Sequence, residues 1–209
     1  MTARVDHTVT SGTFSLDGQT FDVDNNVWVV GDDAECVVVD APHDVAAILR
    51  VVGARRVVAV LATHAHDDHV RVAPELARAT GAPVLLHPAD RVLWDLVHPG
   101  TPPDGELADG ATVEVAGIAL RVLHTPGHSP GACTFHAPAL GVVFTGDTLF
   151  AGGPGATGRS HSDFGTIIES IRTRLLTLPP ETVVHTGHGD STTIAAEAPH
   201  LDEWLARGH

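Results

Sequence analysis

Residues 57–70 read VVAVLATHAHDDHV: an apolar run of strand length that ends abruptly in three histidines and two aspartates within six residues. No other feature constrains the chain as tightly. A buried strand must give way to a turn, and a turn crowded with imidazole and carboxylate is either a solvated loop or part of a metal site. The rest of the sequence decides between them.

The same punctuation recurs. Short β-type runs lie at 27–31 (VWVVG), 36–41 (CVVVDA) and 57–63 (VVAVLAT), with helical spacing over 43–53 closed by Gly53. A second helix is expected over 70–81, a strand over 83–87 and a helix opened by proline over 88–97. Residues 98–110 carry too much Pro and Gly for either element and read as a loop, with 98–106 placed to wall a site. The second half repeats the pattern in TVEVAG, IALRVLHT, ACTFHA and GVVFTGD, then a long amphipathic helix over 162–178 with Ser and Asp as N-cap candidates. TVVHTGHGD (182–190) and a C-terminal helix in APHLDEWLARG complete the chain. Strands alternating with helices in two similar halves imply α/β layers, and no linker divides them, so residues 1–209 are expected to form one domain.

Composition narrows the partners. A net charge of −14 without a basic cluster argues against nucleic acid and against an anionic membrane surface. No apolar run approaches membrane-spanning length, and MTARVDHTVTSG lacks the apolar segment of a secretory signal, so the cytoplasm is the expected location. Cys36 and Cys133 sit in strand-like runs and read as reduced core residues. There is no lysine and no tyrosine, so neither type can serve in a site.

Four stretches place His or Asp at the end of an apolar run, where α/β sheets present functional groups. They give His64, His66, Asp68 and His69, then His128 in HTPGHSPG, Asp147 in FTGD and His188 in TGHGD. Imidazole and carboxylate suit zinc, iron or manganese, and seven donors exceed one tetrahedral ion but match two ions sharing a carboxylate. A lone histidine at a strand end is ordinarily a surface or hydrogen-bonded residue, and His7, His43, His87, His98, His124, His136, His185, His200 and His209 are read so. His185 is the nearest competitor for the role of His188.

THAHDDH, HTPGHSPG, FTGD and TGHGD, in that order, resemble the motifs of the metallo-β-lactamase fold superfamily, over roughly residues 25–190. The resemblance implies a four-layer αββα sandwich of two mixed sheets flanked by helices, with a dinuclear site at the sheet edge. It implies that His64, His66 and His128 hold one divalent ion, Asp68, His69 and His188 the other, and that Asp147 bridges, the ions being most simply zinc. Asp40, in VVVDAP, is similar to an early aspartate that supports the ligands from behind.

Within the superfamily the words HTPGHSPG, FTGDTLF and GRSHSDF resemble the glyoxalase II-like group, which includes thioester hydrolases and persulfide dioxygenases. Asp147 stands where many secreted β-lactamases carry cysteine. Glyoxalase II enzymes resembling this core add a helical C-terminal domain that contacts glutathione through Lys and Tyr among others. No such separate domain is expected here, which points toward another low-molecular-weight thiol, for instance mycothiol. The reading is a hydrolase using a metal-bound hydroxide on a small-molecule thioester, with Asp68 orienting the nucleophile. A mononuclear iron persulfide dioxygenase and a non-catalytic metal-binding protein are the alternatives. Arg159 and His161, in the glycine-rich 151–163 segment, are candidate substrate contacts, with Arg159 as a carboxylate clamp, and the glycines read equally as an anion cradle of N–H groups or as a flexible connection before the helix.

Overall fold

Asp17 and Gly18 both take positive φ, 52° and 74°, the backbone of a type I′ turn whose twist matches that of a hairpin. They join β1 (Arg4–Leu16) to β2 (Gln19–Gly31) in the computed structural model, which describes residues 2–208 and so leaves His209 outside them. The pair runs antiparallel from Arg4 opposite Gly31 to Leu16 opposite Gln19. Only the inner end, Asn25 to Gly31, is buried; the outer end projects as a two-stranded arm.

β3 (Glu35–Val39), β4 (Arg56–Leu61), β5 (Val84–Leu86) and β6 (Gly105–Glu106) extend this sheet. β2 and β3 pair antiparallel, and β3 through β6 are parallel. The crossovers carry α1 (Val45–Val52), α2 (Asp67–Val70), α3 (Ala73–Thr80) and α4 (Arg91–Val97). Asp44 caps α1 by accepting from Ala47 N at 3.0 Å, and Gly53 and Gly81 close α1 and α3 at positive φ.

The second sheet comprises β7 (Thr112–Val115), β8 (Ile118–His124), β9 (Cys133–Ala137) and β10 (Val142–Gly146) in antiparallel order. A small ribbon of β11 (Leu149–Phe150) and β12 (Gly153–Pro154) follows, then α5 (Phe164–Ser170). β13 (Val183–Thr186) pairs parallel to β10, and β14 (Thr192–Thr193) forms the edge. α6 (Ile194–Glu197) and α7 (Leu201–Arg207) end the described chain.

Three apolar layers hold the elements together. Val27, Val29, Cys36 and Val38 pack with Ile48, Leu76 and Trp94 of the first helical layer. The alternate residues Trp28, Val30, Val37 and Val39 face Leu120, Val122, Phe135 and Phe144 of the second sheet. Leu123, Val143 and Val184 turn the other way, onto Ile167, Ile171, Leu175 and Trp204. Both faces of both sheets are therefore covered, which is why the strands read as nearly unbroken apolar runs. The result is a four-layer αββα sandwich of two mixed sheets. Cys36 and Cys133 are buried and unbonded. No helix among the described residues is long and apolar enough to cross a membrane.

Three local expectations change. The single helix over 162–178 begins at Phe164, capped by Asp163, and widens to a π turn over Ile171–Leu175. There Thr173 Oγ1 donates to the Glu169 carbonyl at 2.7 Å, a side-chain bond that competes with the regular ladder. The 98–110 stretch contains the short edge strand β6. Its 98–106 part also packs away from the strand-end histidines: Trp94 Nε1 donates to Thr101 O, and Asp104 accepts from Val84 N.

Phe135 lies fully buried between the sheets. Phe135→Ala is expected to cost about 3–5 kcal/mol of unfolding free energy, read as a lower denaturant midpoint at unchanged m-value.

Candidate metal centre

The ends of β3, β4, β8, β10 and β13 meet at one edge of the sandwich. Beyond β3, Asp40 holds positive φ, 62°, an unusual conformation for a residue with a side chain. Its carboxylate justifies the strain: it accepts from Thr63 N at 2.7 Å, from Thr63 Oγ1 at 2.8 Å and from His69 Nδ1 at 2.8 Å. Across the edge, Asp90 accepts from Ala65 N and Ser129 Oγ, both at 2.8 Å, and from Gly131 N at 2.5 Å. It thereby ties the 64–69 loop to the 124–131 loop.

All seven strand-end residues converge. His64 Nε2 and His128 Nε2 each lie 3.0 Å from His66 Nδ1. Asp68 Oδ2 lies 3.3 Å from His188 Nε2 and 3.7 Å from His69 Nε2, and the two imidazole nitrogens are 3.3 Å apart. Asp147 reaches both groups, with Oδ1 3.3 Å from His69 Nε2, and Oδ2 3.4 Å from His188 Nε2 and 3.6 Å from His128 Nε2. Gly187 makes this approach possible, since a Cβ there would lie 2.2 Å from Asp147 Oδ1.

The outer ring nitrogens fix the tautomers. His69 Nδ1 faces Asp40, His128 Nδ1 faces Ala156 O at 2.9 Å, and His188 Nδ1 faces Asp24 O at 2.7 Å. These acceptors have no proton to give, so each Nδ1 donates. Thr63 donates to Asp40, which leaves its oxygen to accept from His64 Nδ1 at 3.0 Å. Four Nε2 lone pairs therefore point inward beside two carboxylates. His66 instead presents Nδ1 to the Nε2 atoms of His64 and His128, and Asp147 Oδ1 is buried without a hydrogen-bond partner. A cluster of lone pairs with so few protons among them fits divalent cations, with donor groups His64–His66–His128, His64–His69–Asp147 and Asp68–His69–His188.

Electrostatics agree. Burial works against charge at His188, yet the Asp147 carboxylate overrides it and holds the metal-free imidazole up at about 10. His69 is raised likewise, against burial, by Asp147 and Asp68. Burial also opposes ionisation of Asp68, but His69 and His188 keep it down at about 2. Burial and the neighbouring rings push His66 down to about 3. Protons thus occupy His69 and His188 where positive charge is wanted.

His185 stands apart. It stacks on Trp28 with ring centroids 4.2 Å apart, bonds Ser191, and is pushed by burial to about 4. Asn25, Asp90 and the carbonyls of Asp24 and Ala156 are contributors that sequence spacing does not mark. Asn25 is buried and donates to Asp68 Oδ2 at 3.1 Å. Their partners lie far along the chain, so no local spacing announces them.

A cleft of about 270 Å3 opens above the donors, walled by Phe14, Phe21, Val23, Phe150, Ala156 and Arg159. The Arg159 guanidinium lies 5.1 Å from the Phe14 ring centre and 4.8 Å from that of Phe21. Ser160 binds Asp17 at the hairpin tip through its N–H at 2.9 Å and its hydroxyl at 2.7 Å. His161 is exposed and outside the residues lining the cleft. The expected anion cradle is not formed. The N–H groups of Gly152, Gly155 and Gly158 are already bonded to Glu197, Thr148 and Ser162. The 98–106 loop does not line the cleft either, correcting the expectation that it walls the site.

The sequence profile of the Metallo-beta-lactamase superfamily matches residues 20–188. The chain is 36% identical over 151 residues to the hydroxyacylglutathione hydrolase GloC of Haemophilus influenzae, covering 66% of this chain and 71% of that protein. The solved structure of TTHA1623 in a di-iron-bound form superposes with a TM-score of 0.74 at 36% identity, covering 84% of this chain and 93% of that one. ETHE1 from Myxococcus xanthus superposes with a TM-score of 0.75 at 25% identity, covering 95% and 89%.

Cation uptake must displace the protons on His188 and His69. Because metal-free His188 titrates at about 10, it is protonated at neutral pH, and loading is expected to release protons there and to weaken as pH falls. Calorimetric titration in two buffers of different ionisation enthalpy reads this directly; equal heats in both would contradict it.

Proposed function

The chain belongs to the metallo-beta-lactamase superfamily, and from that premise we propose that it is a metal-dependent hydrolase cleaving a thioester of a low-molecular-weight thiol. The observation that carries the reading is the convergence of two donor groups, His64–His66–His128 and Asp68–His69–His188, with Asp147 within 3.6 Å of His69, His188 and His128 beneath an open, mostly apolar cleft. In this reading His64, His66 and His128 hold one divalent ion, Asp68, His69 and His188 the second, and Asp147 serves both. The nitrogen and oxygen donors favour zinc, with iron or manganese also compatible. When bound, such ions supply Lewis acidity toward an acyl carbonyl and lower the pKa of coordinated water from about 15.7 toward about 7.

The chain's own groups do the rest. Asp68 is buried and already accepts a hydrogen bond from Asn25 at 3.1 Å. It acts as a fixed hydrogen-bond acceptor that aims the attacking water. Phe14, Phe21 and Phe150 bind the apolar part of the substrate and exclude solvent. Arg159, at the rim, offers its guanidinium to a carboxylate on the substrate. Attack forms the new carbon–oxygen bond and the carbon–sulfur bond breaks, while the water's two protons pass to solvent, one on its ionisation before attack and one from the carboxylic acid product. A thiol pKa of about 8.5 lets the leaving group depart as thiolate without a general acid, which suits a chain with no lysine or tyrosine. Similarity to a hydroxyacylglutathione hydrolase supports the thioester class.

Asp68→Ala is expected to lower kcat on a small thioester panel by about 10²-fold, and His66→Ala to lower turnover and metal content together. His185→Ala serves as the retained control. Metal analysis accompanies the assay. One iron per chain with oxygen uptake would replace the hydrolase with a dioxygenase, and full metal with no turnover would leave a binding protein.

Arg159→Gln should raise KM for carboxylate-bearing thioesters and leave kcat close to wild type. An equal KM for acidic and neutral substrates in both proteins would remove Arg159 from recognition.

A further inference from the structure

His43 lies outside the seven donors, and nothing in its sequence context marks it. Its Nε2 nevertheless sits 2.8 Å from Asn25 Oδ1. The other end of that amide faces the second donor set. Asn25 Nδ2 is 3.1 Å from Asp68 Oδ2, 3.3 Å from His69 Nε2 and 3.4 Å from His188 Nε2. An amide in this position has two orientations, and what it presents to the site depends on which one is fixed.

Two observations fix it. His43 Nδ1 is buried without a hydrogen-bond partner. It lies flush against β1, where a Cβ on Gly12 would come within 2.3 Å of it. A proton on Nδ1 would be an unsatisfied buried donor, which is costlier than an unused lone pair. The ring proton therefore belongs on Nε2, which donates to Asn25 Oδ1. At the far end, a reversed amide would set its carbonyl oxygen against the Asp68 carboxylate, a contact between two acceptors.

We infer that His43 is a positioning residue for the second donor set, acting through Asn25, whose NH2 group it holds toward Asp68. Asp68 then has one oxygen fixed by Asn25 and keeps its aim toward His188. The chain of contacts runs from β1 and the β3–α1 turn, through Asn25 where β2 becomes buried, to the 64–69 loop. The hydrogen bonds of His43 and Asn25 reach Asp68, His69 and His188 and none of His64, His66 and His128, so the path acts directly on the second donor set. The inference rests on the two-set reading of the site, but not on any substrate.

The test is metal retention by the zinc-loaded full chain, titrated with a competing chelator. Wild type is expected to release two ions in separable steps. His43→Leu should weaken retention of the more loosely held ion about 10-fold or more and leave the other unchanged. Asn25→Leu should do the same, and the double variant should be no worse than Asn25→Leu alone. His43→Gln, whose amide can donate to Asn25 Oδ1, should restore most of the loss. A single released ion in wild type would overturn the inference. So would a loss spread equally over both ions, additive effects in the double variant, or a lowered melting temperature with unchanged retention. Intact retention steps in a protein inactive on thioesters would count against the hydrolase reading alone.

Discussion

The outer protons of the site's imidazoles hold the centre together. His69 Nδ1 binds Asp40, His128 Nδ1 binds Ala156 O, His188 Nδ1 binds Asp24 O, and His64 Nδ1 binds Thr63 Oγ1. Each bond fixes a tautomer and a ring orientation at once, and each leaves the inner nitrogen basic. The acceptors come from different places: the end of β3, the 151–163 segment, the inner part of β2 and the end of β4. The site is therefore assembled by tertiary structure, and no single loop could hold it alone.

The layering explains why those places meet. Both sheets bury both faces, so polar groups can gather only where strands end. Parallel pairing of β3 with β4, and of β10 with β13, brings their C-terminal ends to the same edge. The backbone must turn there in very little room. Gly146 takes φ 50° with Thr63 Oγ1 only 2.5 Å from where a Cβ would stand, so a side chain at that position would displace the threonine that orients His64.

Residues at strand ends are legible in the sequence, and residues that act through remote partners are not. His64, His66, Asp68, His69, His128, Asp147 and His188 each follow an apolar run, and the run itself advertises a strand end. Asp40 entered only through the family resemblance of VVVDAP. Asn25 and Asp90 were not legible, because their meaning lies in bonds to Asp68 and to Ser129 and Gly131, residues remote in sequence. β1 went unread because its outer half is polar and half-exposed, although Asp17-Gly18 is a strong hairpin signal. The glycine-rich 151–163 segment suggested an anion cradle, whereas its useful group is a carbonyl, that of Ala156. Composition reveals available N–H groups but not which of them are already bonded.

Charge accounting by position then locates the missing positive charge. Four aspartates are buried at this edge or lie close to it, and a buried carboxylate is costly unless compensated. Asp40 accepts three hydrogen bonds and Asp90 accepts three, so both are satisfied within the protein. Asp68 accepts one from Asn25, and Asp147 Oδ1 has no hydrogen-bond partner. What faces these two is a set of imidazole nitrogens whose protons are directed outward. The uncompensated negative charge and the unused lone pairs therefore coincide, and either added protons or cations must answer them. Because the outer bonds to Asp40, Ala156, Asp24 and Thr63 hold the rings in the ligating orientation, the lone pairs are already aimed when a cation replaces those protons.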